Sequence, residues 1–197
     1  MFRRFFSYLL GKRSEVTDLD FKDVVLGKVV LDIHRKRSHK ELVTVPLFAL
    51  RPIHRLDREN ALAATRRRIE MLREHRAELA EIRVMSCEVL ARHLPSVSWI
   101  KVVERDPDCF LAFEGNGRLA ALQVVFEPSD GIEVEVEQYH FRNPRKILRR
   151  LDRVRRLNHL LDEGASVFGT AVLEDVVSED VVSDDDDPPL PDAPTHP

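Results

Sequence analysis

The stretch "CFLAFEGNGRLAALQ", Cys109 to Gln123, constrains the fold more than any other. An apolar run ends at a carboxylate, two glycines flank an asparagine, and an arginine opens a run of good helix formers. The pattern reads as strand, glycine turn, helix. Only 7 glycines occur in 197 residues, and two of them stand here. Backbone N–H groups at a helix start lack partners, and the helix dipole is positive there. Glycines let an anion approach that backbone. Arg118 in the first helical turn is disfavoured by the dipole, but it offers a bidentate partner to a phosphate, and a bound anion removes the penalty. The pattern therefore suggests a nucleotide-phosphate site, with the Gly115, Asn116 and Gly117 backbone as cradle and Arg118 as clamp. Glu114 is the candidate catalytic residue, placed to hold a metal, orient a water or bond a ribose hydroxyl. The plainer alternative is an ordinary strand-to-helix turn in which Arg118 pairs with Glu114. The spacing, and the lack of a Gly-Lys-Ser/Thr end, exclude a Walker loop.

The rest of the chain reads as an α+β domain, a small mixed sheet with flanking helices, over residues 21–165. "VVLGKVVLDI" (24–33) and "ELVTVPLFAL" (41–50) read as two strands of a hairpin across the basic "HRKRSHK". Residues 59–82 carry Leu62, Ile69, Leu72, Leu79 and Ile82 at helical spacing, and "VMSCEVLARHL" continues as a second helix stopped before Pro95. Strands are expected at 97–104 and 109–113 around the turn "RDPD", a helix at 118–126, a turn at "PSDG" and a strand from Ile132, where apolar and acidic residues alternate. A last helix is expected from Asn143 as N-cap and Pro144 to Gly164, with Ile147, Leu148, Leu151, Val154, Leu157, Leu160 and Leu161 as its apolar stripe. Trp99 and the phenylalanines at 110 and 113 are expected in the core.

Charge is distributed unevenly beneath a net value of -3. Residues 1–20 form a basic segment whose start, "MFRRFFSYLLGKR", suits an amphipathic helix and weak contact of residues 1–13 with an anionic membrane surface. No stretch approaches the roughly 20 apolar residues of a membrane span. Residues 174–197 read as a disordered acidic tail, too poor in apolar variety to offset ordering entropy. The two cysteines, Cys87 and Cys109, have no metal or redox spacing and read as reduced thiols in a cytoplasmic protein. The eight histidines show no His-x-His or His–Cys ligand pattern, so no metal site is expected. His140 and His159 read as surface or packed residues.

The order "VPLFALRPI", helix, "IKVV", "FLAFEGNGRLAAL", "IEVEVEQY" resembles the ParB/sulfiredoxin superfamily domain over roughly residues 42–141. The most specific part is "EGNGRLAAL", similar to that family's Asp-Gly-Asn-His-Arg-Leu-x-Ala. On this match Gly115 and Arg118 fall on the family's glycine and arginine, and Glu114 on its acid. The resemblance implies a loop that binds nucleotide phosphates and an arginine brought to the pocket from just after the opening strand, for which Arg51, Arg55 and Arg58 are the candidates. Sulfiredoxins carry their catalytic cysteine where this chain has Asn116, so sulfinic-acid reduction is not expected. Gly117 stands where the family often has a histidine or arginine. Partitioning members add a helix-turn-helix domain, whereas here one basic helix follows.

That basic helix supplies a second candidate. Arg145, Arg149, Arg153 and Arg156 fall on its polar face and suit a nucleic-acid phosphate backbone, without the aromatic interleaving of single-strand binders. A solvated face is the alternative. Three functions stay open: a nucleotide-binding switch or hydrolase using a nucleoside triphosphate with or without Mg2+, a nucleic-acid-binding protein or nuclease, and a non-catalytic interaction module.

Overall fold

The run Phe110 to Phe113 is buried at every position, as in a strand covered on both faces. This is an interior strand of the sheet in the computed structural model, which describes residues 21–161. The basic segment 1–20, Gly164 and the acidic tail 174–197 lie outside the described residues.

Among the described residues six helices and six strands follow in the order α1 (Phe21–Lys36), β1 (His39–Pro46), β2 (Leu50–Pro52), α2 (Glu59–Glu74), α3 (Arg76–Ile82), β3 (Val84–Met85), α4 (Cys87–Ala91), β4 (Ile100–Asp106), β5 (Cys109–Glu114), α5 (Asn116–Val125), β6 (Glu133–His140) and α6 (Pro144–Leu157). Short 3-10 turns occupy Leu47–Ala49 and Pro128–Asp130. The sheet runs β1-β6-β4-β5-β2, with β3 also pairing β6. It is mixed, because β1 with β6 and β4 with β5 are antiparallel while β4 with β6 and β2 with β5 are parallel.

Strand periodicity divides the side chains between two cores. Phe110 and Ala112 of β5, Ile100 and Val102 of β4, and Val134 and Val136 of β6 pack with Ile69, Leu72, Leu119 and Leu122 on one face. Leu111, Phe113, Val103 and Tyr139 pack with Val29, Ile33, Ile147, Leu151 and Val154 on the other. The domain is thus three layers, with α1 and α6 on one side of the sheet and α2 and α5 on the other.

Several expectations need correction. Residues 24–33 are not a hairpin strand but the middle of α1. Val25, Val29 and Ile33 recur at i, i+4 and i+8, and this stripe docks against α6. The valine content favours a strand locally, but the helical stripe wins because it meets a ready apolar surface. The helix expected over 59–82 breaks at His75, whose φ of -111° and ψ of 14° end α2 and start α3. Arg76 fixes the break, since its Nε donates to Val125 O at 3.0 Å and its Nη2 reaches Asp130 at 2.9 Å. Val84 and Met85 leave the expected second helix to pair with β6. The last helix starts as expected, with Asn143 Oδ1 accepting from the Lys146 amide and Pro144 at the first position, but it ends at Leu157. Leu160 is buried beyond that end and Leu161 is exposed. Trp99 is exposed rather than in the core, its Nε1 donating to Glu135 at 3.0 Å. Among the described residues no helix is long and apolar enough to cross a membrane.

The helical reading of α1 makes a contrast that a strand could not. Ile33 is fully buried and Leu31 is 57% exposed, although a strand would put both on one face. Ile33→Ala should cost about 2–5 kcal/mol, and Leu31→Ala should stay within about 0.5 kcal/mol of the parent. Urea unfolding of the two variants checks this, and similar losses in both would contradict the helix.

Candidate functional site

The chain turns from β5 into α5 at Gly115, whose φ of +87° is left-handed. A side chain there would also crowd Ile100, since a Cβ would lie 3.1 Å from its Cα. Two residues on, Gly117 faces α2. A Cβ on Gly117 would lie 2.9 Å from Thr65 Oγ1, and Thr65 is fully buried with its hydroxyl donating to Ala61 O at 2.8 Å. Both glycines therefore have packing reasons to be glycine, and the second sets how closely α2 approaches the start of α5.

Asn116 lies between them, 3% exposed. Its Oδ1 accepts from the Ile53 amide at 3.3 Å, tying the turn to the segment after β2. Its Nδ2 is buried with no hydrogen-bond partner among the described residues. The Arg118 and Leu119 amides both return to Gly115 O at 3.0 Å. The amides of Asn116 and Gly117 precede them, in the part of a helix where no intrahelical acceptor exists.

Arg118 does not pair with Glu114. The Glu114 carboxylate is occupied elsewhere, with Oε1 2.5 Å from His34 Nε2 and Oε2 2.5 Å from Lys101 Nζ. Arg118 is half-buried, and among the described residues its guanidinium meets no carboxylate at ion-pair distance. The charged group that acts on it most strongly is another cation, Arg68 of α2. A Cβ on Gly115 would lie 3.2 Å from Arg118 Nη2, and one on Gly117 3.6 Å from Arg68 Nη1, so the two guanidiniums flank the turn. Burial first and Arg68 second lower the Arg118 pKa, while Cys87 and Glu114 act weakly the other way. Arg68 also has no acidic partner among the described residues. Cys87, at the start of α4, lies close enough to Arg118 to feel its charge, but burial dominates and pushes the thiol up.

Glu114 instead joins a half-buried polar chain on the α1 side of the sheet. His34 Nδ1 lies 3.4 Å from Tyr139 OH, and Lys40 Nζ is 2.5 Å from Glu137 Oε1. The Arg37 guanidinium sits 5.6 Å from the Tyr139 ring centre. Burial, reinforced by Glu137, pushes the Tyr139 hydroxyl up to about 12. For Glu114, burial raises the pKa, but hydrogen bonds from Lys101 and His34 outweigh it and leave the carboxyl below its ordinary value.

The other expected site residues stand apart from the turn. Arg55 ties the segment after β2 to the end of α6, its amide donating to Asn158 Oδ1 and its Nη2 to His159 O, both at 3.3 Å. Arg58 is paired with Asp23 of α1 at 2.8 Å. Both line a cleft with Lys22, His54 and Asn158 that does not include the glycine turn. Arg51 is exposed. Arg145, Arg149, Arg153 and Arg156 are all exposed along α6 and none forms an ion pair among the described residues. Their neighbours behave differently, since Arg150 pairs with Asp32 and Arg155 donates to Leu160 O at 2.7 Å.

Sequence reasoning missed Arg68, the last of three consecutive arginines at 66–68. Its only signal was its position three residues after Thr65, on the same helical face. It also missed His34, since residues 24–33 were assigned to a strand. No family model matches the chain, and neither a curated protein nor a solved structure matches it.

The Glu114 contacts fix a pH dependence. A carboxyl whose folded pKa is depressed stabilises the fold above its unfolded pKa, and that contribution is lost as pH falls through the folded value. Glu114→Gln should therefore flatten the loss of stability that begins near the ordinary glutamate pKa of about 4.3 and continues below it. Urea midpoints at pH 7 and in acid, for parent and variant, check this. An unchanged acid slope would remove Glu114 from the balance.

Proposed function

We propose that the protein binds the phosphate of a nucleotide at the start of α5, between Arg118 and Arg68. The observation that carries this reading is the pair of guanidiniums at one helix N-terminus with no carboxylate between them. Two like charges in a half-buried place repel, and the helix dipole adds to the cost. A phosphate answers both, with two oxygens for a bidentate guanidinium and further charge for the second arginine and the free amides. The Asn116 Nδ2 without a partner adds a donor at the same turn. The resemblance to the ParB/sulfiredoxin domain favours a nucleotide over a free anion. On this reading Glu114 positions the turn through Lys101 and His34, and Arg55 and Arg58 hold the segment after β2 in place.

Arg118→Gln separates an anion clamp from a structural arginine. Without ligand, the variant should be as stable as the parent or more so, because a like-charge contact is relieved. With ATP, CTP, GTP or pyrophosphate, with and without Mg2+, the parent should gain about 2.7 kcal/mol at 100 times the dissociation constant, and the variant should gain far less. Thermal shift reads both. A large loss of stability in the unliganded variant, or equal ligand shifts in both proteins, would sink the reading.

A second reading, contact with nucleic acid through α6, is favoured by one feature. Arg145, Arg149, Arg153 and Arg156 form an exposed stripe at i, i+4, i+8 and i+11 that no acid of the described residues neutralises. If the stripe grips phosphates, replacing all four by Gln should lower the slope of log affinity against log salt by about 0.9 for each lost duplex contact. Duplex binding measured between low and high salt checks it, and an unchanged slope would leave the stripe as a solvated face.

A further inference from the structure

We propose a divalent-metal site of the Zn2+ type formed by His75, Glu78 and His93, away from the glycine turn. His75 occupies the break between α2 and α3, Glu78 follows one turn later, and His93 comes from the segment after α4. Their donor atoms all lie within 4.8 Å of one another. His75 Nδ1 is 3.7 Å from one Glu78 oxygen, and His93 Nε2 is 3.8 Å from the other. These separations are too long for hydrogen bonds. They are close to the roughly 3.3–3.4 Å edge of a tetrahedron whose metal–ligand bonds are about 2.0–2.1 Å.

Burial supplies the independent observation. The His93 side chain is only 7% exposed, and its Nε2 is buried with no hydrogen-bond partner. A buried ring nitrogen left unpaired is costly, and the Glu78 carboxylate is within 3.8 Å of it. The two imidazole rings lie 4.3 Å apart and tilted by 45°, and one nitrogen of each lies within 4.8 Å of the other and of the same carboxylate. Imidazole with a carboxylate is a donor set suited to Zn2+, and three protein ligands leave a fourth position for water or substrate. A second group, His39, Glu41 and His140, shares the unpartnered ring nitrogen, at His140 Nε2, but not the geometry. His39 and His140 stack within 1° of parallel, and the 2.7 Å from His140 Nε2 to Glu41 is shorter than that tetrahedral edge.

The metal would tie the α2–α3 break to the segment after α4. Those are the elements that carry Arg68 and Cys87 to the neighbourhood of Arg118.

Co2+ is the probe, because tetrahedral coordination gives it visible ligand-field bands. The full chain should give such bands, saturating at one equivalent for this site and displaced by Zn2+. Glu78→Gln should weaken binding about tenfold or more, as ligand-shell changes do, and His93→Gln should abolish it. His39→Ala should leave the bands unchanged. His93 is buried, so its variant can misfold; Glu78 is exposed, and its variant tests the site with the fold intact by circular dichroism. Absence of a saturable band, an unchanged Co2+ affinity in Glu78→Gln, or loss of the bands in His39→Ala would overturn the assignment.

Discussion

The close approach of α2 to the start of α5 governs the rest of the site. Thr65 and Gly117 meet where a single methyl group would collide with the threonine hydroxyl. Because Thr65 is fully buried and bonded to Ala61, it has no room to retreat. The helix register then leaves little choice for the neighbours. Arg68 lies three residues after Thr65 on the same face of α2, and Arg118 directly follows Gly117. Packing alone therefore brings two guanidiniums to one helix end. A sequence free to avoid that repulsion could place a carboxylate between them, as the same chain does for Arg58 with Asp23 and Arg150 with Asp32.

The nearest carboxylate, Glu114, is held on the other side of the sheet. Lys101 and His34 each take one of its oxygens. Lys101 and His34 share one carboxylate on the α1 side, whereas the two guanidiniums on the α2 side share none, so the carboxylate and the arginine pair are separated across the end of β5. Burial works against charge in both places, raising the Glu114 carboxyl and lowering Arg118. On the α1 side the opposing hydrogen bonds overcome it. On the α2 side nothing in the described residues does, so the imbalance is the physical basis for expecting an anion there.

How much of this was legible in the sequence depends on the range of the interaction. The strand, turn and helix of residues 109–125 were readable because each carries a local signal, a buried apolar run, a left-handed glycine and a helix-forming run. Asn143 and Pro144 announced α6 for the same reason. The valines of 24–33 misled, because β-branched content speaks for strand while the i, i+4, i+8 spacing of Val25, Val29 and Ile33 speaks for helix. The second signal is decisive only once α6 is present to receive the stripe. Trp99 looked like core by size alone, yet Glu135 offers its indole a partner at the surface. The break at His75 had no local signal, since Arg76 is anchored by Val125 and Asp130, far along the chain. Arg68 and His34 were invisible because their roles arise from elements that meet only in the folded domain.

The same limit hides the cluster of His75, Glu78 and His93 from ligand spacing. His75 and Glu78 are three apart, but His93 is brought in by the turn through β3 and α4, with Met85 fully buried beneath it in the core. Spacing rules find sites built within one loop or one helix, where geometry is set by the local backbone. A site assembled across a helix break depends on the pairing of β3 with β6, which fixes where α4 begins. The two-residue strand thus has an effect larger than its length. It sets the position of Cys87 and His93 together, and so couples the layer that holds the arginine pair to the layer edge that holds the histidines.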